Sequence, residues 1–126
     1  APDLDLSWKG RAIVFAAFYE GSRTIAVRET EDPICDPSGL VLQIESCAIC
    51  GADIRTYVHG HPQIKPPHII GHEIAATVAE VGNRATGFST GDRVQVAPAI
   101  SCGKCRFCRQ DLFNMCEDRY TIGYAY

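Results

Sequence analysis

Apolar runs rich in β-branched residues recur along the chain, separated by polar turn residues. Residues 11–18 (RAIVFAAF), 23–29 (RTIAVRE), 39–47 (GLVLQIESC), 73–81 (EIAATVAEV) and 92–98 (DRVQVAP) fit this pattern, so five strands are predicted. The alanines of 73–81 also suit a helix, but its β-branched positions and the Gly82-Asn83 turn that follows favour a strand. One short helix is predicted where Asp53 caps the turn IRTYVHG and Gly60 ends it. The stretch after it, HPQIKPPHII, is expected to be irregular because Pro62, Pro66 and Pro67 remove backbone donors. Most of the chain therefore reads as short strands in one modest domain, with loops on that scaffold as the usual carriers of functional groups.

Composition removes several function classes. The net charge of −3, with Lys and Arg spread among Asp and Glu, gives no basic face to hold a phosphate backbone, so no nucleic-acid partner is expected. The opening APDLDLSWKG is acidic where a signal peptide is positive, and no apolar run approaches the roughly 20 residues needed to cross a bilayer. No membrane partner and a cytoplasmic location are expected. Seven cysteines in 126 residues fall short of the disulfide-scaffold range of roughly 8–10%, and an odd number cannot all pair within the chain. Metal binding in a reducing compartment fits them better. The sequence has no internal repeat and no G-x-G-x-x-G, so a dinucleotide fold is not expected within it.

The strongest chemical signal is CGKCRFCRQDLFNMC, with cysteines at 102, 105, 108 and 116. Gaps of two, two and seven residues let four thiolates turn back on one ion, the closed arrangement of a structural zinc site, in a lobe spanning about residues 98–118. Disulfides would require very tight C-x-x-C loops, and a nucleic-acid finger would place its ligands in two separated pairs. Four thiolates on Zn²⁺ leave a formal charge of about −2. Lys104, Arg106 and Arg109 either compensate that charge or form a solvated surface.

A second constellation is split along the chain. The segment SCAICGAD carries Cys47 and Cys50, which read either as a two-sulfur knuckle or as one ligand and one packing residue. GHE, residues 71–73, brings His72, a partner for Cys50 in an open catalytic zinc site. Cys35 reads as a loop residue, and His59, His61 and His68 read as polar surface around the proline loop.

CGADIR, PPHIIGHEIAATVAEVG, GFSTGDRV and the four-cysteine lobe, in that order, resemble the N-terminal catalytic domain of zinc-dependent medium-chain alcohol and polyol dehydrogenases, the alcohol dehydrogenase GroES-like domain. The resemblance runs from about residue 11 onward. It implies a partly open, GroES-like β-barrel with short helices over residues 1–126. It also implies that Cys50 and His72 are catalytic-zinc ligands, that Glu73 is the adjacent carboxylate that approaches or transiently binds the metal, and that Asp53 orients His72. Cys47 is then a packing residue, and Cys102, Cys105, Cys108 and Cys116 hold structural zinc. The nicotinamide-binding Rossmann domain and the remaining zinc ligand would lie beyond Tyr126, making this a truncated piece, inactive alone, of an NAD- or NADP-dependent homo-oligomer. That parent would oxidise a small alcohol, polyol or amino alcohol.

Two positions depart from the family. Ala52 stands where a hydroxyl residue usually takes the substrate proton, and Arg55 stands where a histidine often passes it outward. Ala52 lends weight to an alternative, a non-catalytic zinc-stabilised binding or scaffold module. A co-chaperonin of the same barrel would leave the cysteine lobe without a reason.

Overall fold

A computed structural model describes residues 13–124. β1 (Val14–Gly21) and β2 (Thr24–Thr30) form an antiparallel hairpin, and β3 (Leu40–Ala48) leads into the helix α1 (Gly51–His59). After α1 come β4 (His68–Ile69), β5 (Glu73–Val81), β6 (Arg93–Val96), β7 (Ala99–Ile100) and β8 (Tyr120–Thr121). The strands make three small sheets, ordered β2-β1-β4, β3-β5-β6 and β7-β8, and among the described residues these do not close into a barrel. The expected fold is thus confirmed as mainly β, and its helical parts among the described residues are one α-helix and two 3-10 turns at Cys108–Gln110 and Phe113–Met115.

Each element follows from local chemistry. The β1–β2 turn places Ser22 and Arg23 at positive φ, as a two-residue hairpin loop demands of its central pair, and Arg23 N–H donates to Tyr57 O of α1 at 3.1 Å. That bond docks the hairpin on the helix. β3 and β5 pair over most of their length, with Val41, Ala76 and Val78 buried between them and their neighbours. Tyr19, Ile64 and Cys108 complete the buried apolar set among the described residues.

The structure corrects several expectations. Residues 11 and 12 of the predicted first strand lie outside the described residues, and the strand runs on to Gly21. The helix begins three residues earlier than Asp53 would cap it, because Cys50 is the N-cap. The proline loop is not wholly irregular, since His68 and Ile69 follow the last proline and pair with Tyr19 and Phe18 of β1. The strand expected at 92–98 is only Arg93–Val96, and the short ribbon of β7 and β8 was not anticipated. Cys47 is exposed, not buried: it lies in the second half of β3, where residues 43–48 are all exposed on a sheet edge that no element covers among the described residues.

Candidate metal centres

The β3–β5 register explains how the first centre assembles. Ala48 at the end of β3 pairs with Glu73 at the start of β5, so Cys50, two residues past one strand, meets His72, one residue before the other. Cys50 caps α1 in extended conformation, with Sγ accepting the N–H of Ala52 at 3.3 Å. Asp53 Oδ2 accepts the Cys50 N–H at 3.0 Å, completing a reciprocal capping box. One short sequence thus both starts the helix and fixes a sulfur and a carboxylate.

His72 is 7% exposed and presents its two ring nitrogens to different partners. Nε2 is 3.1 Å from Cys50 Sγ, and Nδ1 is 3.6 Å from Asp53 Oδ1. The donor atoms of Cys50, Asp53 and His72 lie within 4.8 Å of one another, so all three are candidate ligands by proximity. Their edges separate the roles. Asp53 faces Nδ1 and already binds the Cys50 N–H, whereas the sulfur faces Nε2. A cation between Sγ and Nε2 would leave Nδ1–H directed at the carboxylate, the usual outer arrangement around a ligating histidine. The Nδ1 atom is buried and has no closer hydrogen-bond partner, which suits that orienting contact. Glu73 does not join the group: it is exposed as the first residue of β5, and alternation along an extended chain turns it from the side His72 uses.

Tyr124 escaped the sequence reading. Its ring centroid is 5.4 Å from that of His72 and 4.8 Å from that of His61, so His61 is half-buried against an aromatic instead of lying free on the surface. Burial, with Asp53 and Cys50 beside it, pushes the Tyr124 phenol pKa up, while Thr56 and Arg55 act in the opposite direction. Nothing in its local sequence marks this tyrosine, because the lobe separates it along the chain from the residues it touches.

The second centre lies between β7 and β8. The sulfurs of Cys102, Cys105, Cys108 and Cys116 lie within 4.8 Å of one another, with Cys105–Cys108 at 3.5 Å and Cys102–Cys108 at 4.0 Å. Four sulfurs at about 2.3 Å around a tetrahedral zinc would be about 3.8 Å apart, so the set fits such an ion. Backbone donors also point inward: Cys102 N–H reaches Cys116 Sγ at 3.2 Å, and Cys108 N–H reaches Cys105 Sγ at 3.5 Å. The N–H groups of Cys108 and Glu117 hold the Cys105 thiol down to about 6. Burial, then the neighbouring Cys105 and Cys116 thiols, pushes Cys108 up to about 12. Backbone N–H groups of Lys104 and Cys105 lower Cys102. None of the seven cysteines is in a disulfide. Arg106 pairs with Glu117 at 2.8 Å and lies over the Phe107 ring, so its charge is already engaged; Lys104 and Arg109 are exposed.

Comparison with known proteins shows the family of the chain. Residues 36–125 match the model of the alcohol dehydrogenase GroES-like domain. The chain belongs to this family. Over 106 residues it is 32% identical to sorbitol dehydrogenase of Bacillus subtilis (strain 168), a match covering 82% of this chain and 30% of that protein. A candidate zinc-binding dehydrogenase of Sinorhizobium meliloti 1021, solved with NADP, superposes with a TM-score of 0.80 at 32% identity, covering 90% of this chain and 33% of its own. A thermostable alcohol dehydrogenase of Pyrobaculum aerophilum, solved with cobalt and zinc, gives 0.80 at 29%, covering 88% and 35%. This GroES-like chain therefore spans about a third of the length of such relatives. No helix among the described residues is long and apolar enough to cross a membrane.

Proposed function

We propose that residues 1–126 are the catalytic domain of a zinc-dependent dehydrogenase that oxidises a small alcohol or polyol with NAD or NADP bound by a further part of the protein. The observation that carries this reading is the Cys50 Sγ–His72 Nε2 approach of 3.1 Å, with Asp53 at the other edge of the ring. A structural lobe alone has no use for such a pair.

Cys50 and His72 are the proposed ligands of the catalytic zinc, and Cys102, Cys105, Cys108 and Cys116 those of the structural one. Zinc at the first centre supplies Lewis-acid polarisation of an alcohol oxygen, which assists hydride loss to nicotinamide. The protein's part is to hold the geometry. The Ala52 N–H holds the Cys50 sulfur at the start of α1, and Asp53 faces Nδ1 of His72 so that Nε2 faces the sulfur. Ala52 offers no hydroxyl to the substrate, so its proton leaves by another route, through water or a nearby acid. Glu73, exposed and outside the ligand group, is placed to take it only through solvent. A small-molecule substrate, a cytoplasmic setting and a homo-oligomeric parent complete the reading.

The test is oxidation of a panel of alcohols and polyols with NAD⁺ and NADP⁺ by the full-length protein and its His72→Ala variant. Turnover lost in the variant with the lobe zinc retained is the expected result. A full-length protein holding both zincs and oxidising no alcohol favours the non-catalytic binding module instead.

A further inference from the structure

A single ribbon joins the two centres. β7 and β8 pair Ala99 with Thr121 and Ile100 with Tyr120, and the cysteine lobe is the connection between them. Ile122 N–H continues the ribbon by donating to Pro98 O at 3.0 Å. The next residue, Gly123, is buried at φ 79°, and a Cβ built there would sit 2.7 Å from the Gly71 carbonyl oxygen and 3.2 Å from the Gly71 nitrogen. Glycine at 123 therefore lets the strand end lie directly on the backbone that precedes His72. Tyr124 follows at once, its N–H closing a turn onto Thr121 O at 3.2 Å.

His72 is consequently held on two sides. Asp53 faces its Nδ1 edge, and the Tyr124 ring lies against it with centroids 5.4 Å apart and planes inclined at 34°. Behind Tyr124 stands His61, whose Nδ1 accepts the Gln63 N–H at 3.3 Å and is fixed by it. An imidazole bounded this way has little freedom to rotate its Nε2 away from Cys50.

We propose that Tyr124 is a positioning residue for His72 and that the cysteine lobe sets it in place through the β7–β8 ribbon. The inference rests on Cys50 and His72 being metal ligands. A two-stranded ribbon with two residue pairs has little stability of its own. Closure of the lobe by its four thiolates keeps β8 in register with β7, and β8 in turn delivers Gly123 to Gly71 and Tyr124 to His72. The lobe is then a support for the first centre as well as a local staple.

The experiment loads the full-length protein with zinc in the lobe and cobalt(II) at Cys50 and His72, and reads cobalt affinity and its visible absorption while elemental analysis follows the lobe zinc. Tyr124→Ala should weaken cobalt binding by about 10- to 100-fold, the range seen when outer partners of metal ligands are removed, and should alter the spectrum with lobe zinc unchanged. Tyr124→Phe should bind cobalt as the parent does, because the ring remains. Gly123→Ala should reproduce the Tyr124→Ala loss with the tyrosine intact, by lifting the strand end off Gly71. Should Tyr124→Ala also lose lobe zinc, Tyr124→Leu, which keeps apolar bulk without a planar ring, is read in its place. Unchanged affinity and spectrum in Tyr124→Ala overturn the proposal, as does an equal loss in Tyr124→Phe. A full-length protein that takes no cobalt at Cys50 and His72 overturns the ligand assignment itself, a failure visible before any variant is made.

Discussion

Asp53 does two jobs with one carboxylate. Its Oδ2 holds the N–H of Cys50 and its Oδ1 faces the ring of His72, so the helix cap and the Cys50–His72 pair share a residue. Asp53→Asn keeps the size but removes the negative charge that favours Nδ1–H, and is expected to weaken metal at Cys50 and His72 by about 10- to 100-fold. Zinc in the lobe should be untouched, and metal analysis after dialysis against a weak chelator checks both sites at once. Ala52, one residue away, belongs to the same scale. A positioned hydroxyl typically contributes about 10²–10⁴-fold to proton transfer, so Ala52→Thr in the full-length protein is expected to raise kcat near neutral pH and flatten its pH dependence. Unchanged kcat with zinc retained would mean that proton removal does not limit the rate.

Among the elements, the cysteine lobe carries its own thermodynamics. Ligand thiols must lose their protons to bind metal, and Cys108, held up at about 12, is protonated at neutral pH until a cation displaces its proton. Cys105, held down at about 6, is a thiolate above that pH and takes up a proton below it. Zinc affinity of the lobe should therefore fall as pH is lowered, and fall more steeply below about 6, where the Cys105 thiolate also takes up a proton. Competition titrations with a chromophoric chelator between pH 5 and 8, scored by slope, check the sign. Cys108→Ser should remove the lobe zinc and loosen the ribbon, whereas Cys47→Ser should leave zinc content unchanged. The second expectation is strengthened by geometry, since Cys47 is exposed and belongs to neither sulfur group. Equal zinc loss in both variants would restore the two-sulfur reading of SCAICGAD.

For the molecule as a whole, the lobe is complete within the chain while the first centre has two proposed ligands and one orienting carboxylate. The isolated 126-residue chain is expected to hold one zinc firmly and a second weakly or not at all. Two zincs per chain surviving dialysis would show that another ligand had been missed. The same chain should bind no NADH or NADPH, since hydride transfer needs substrate and cofactor held in contact, an orientation effect of about 7–11 kcal/mol, and the sequence contains no dinucleotide fingerprint. Fluorescence titration with NADPH tests this directly.

Local signals were enough for the five main strands, the helix and the four-cysteine lobe, because β-branched runs, turn residues and ligand spacing act over a few residues. They were also enough to nominate Cys50 and His72, whereas the place of Asp53 beside His72 came from the family resemblance. Three things were settled only by tertiary structure. The helix began at Cys50 because its sulfur and Asp53 cap each other reciprocally, an alternative to an Asp cap that residue type alone does not rank. Cys47 was exposed because burial depends on which elements cover a sheet edge, and among the described residues none covers that end of β3. Tyr124 reached His72 because the lobe folds back and Gly123 lets two backbones touch, a contact between distant segments that no periodicity or spacing within either one encodes.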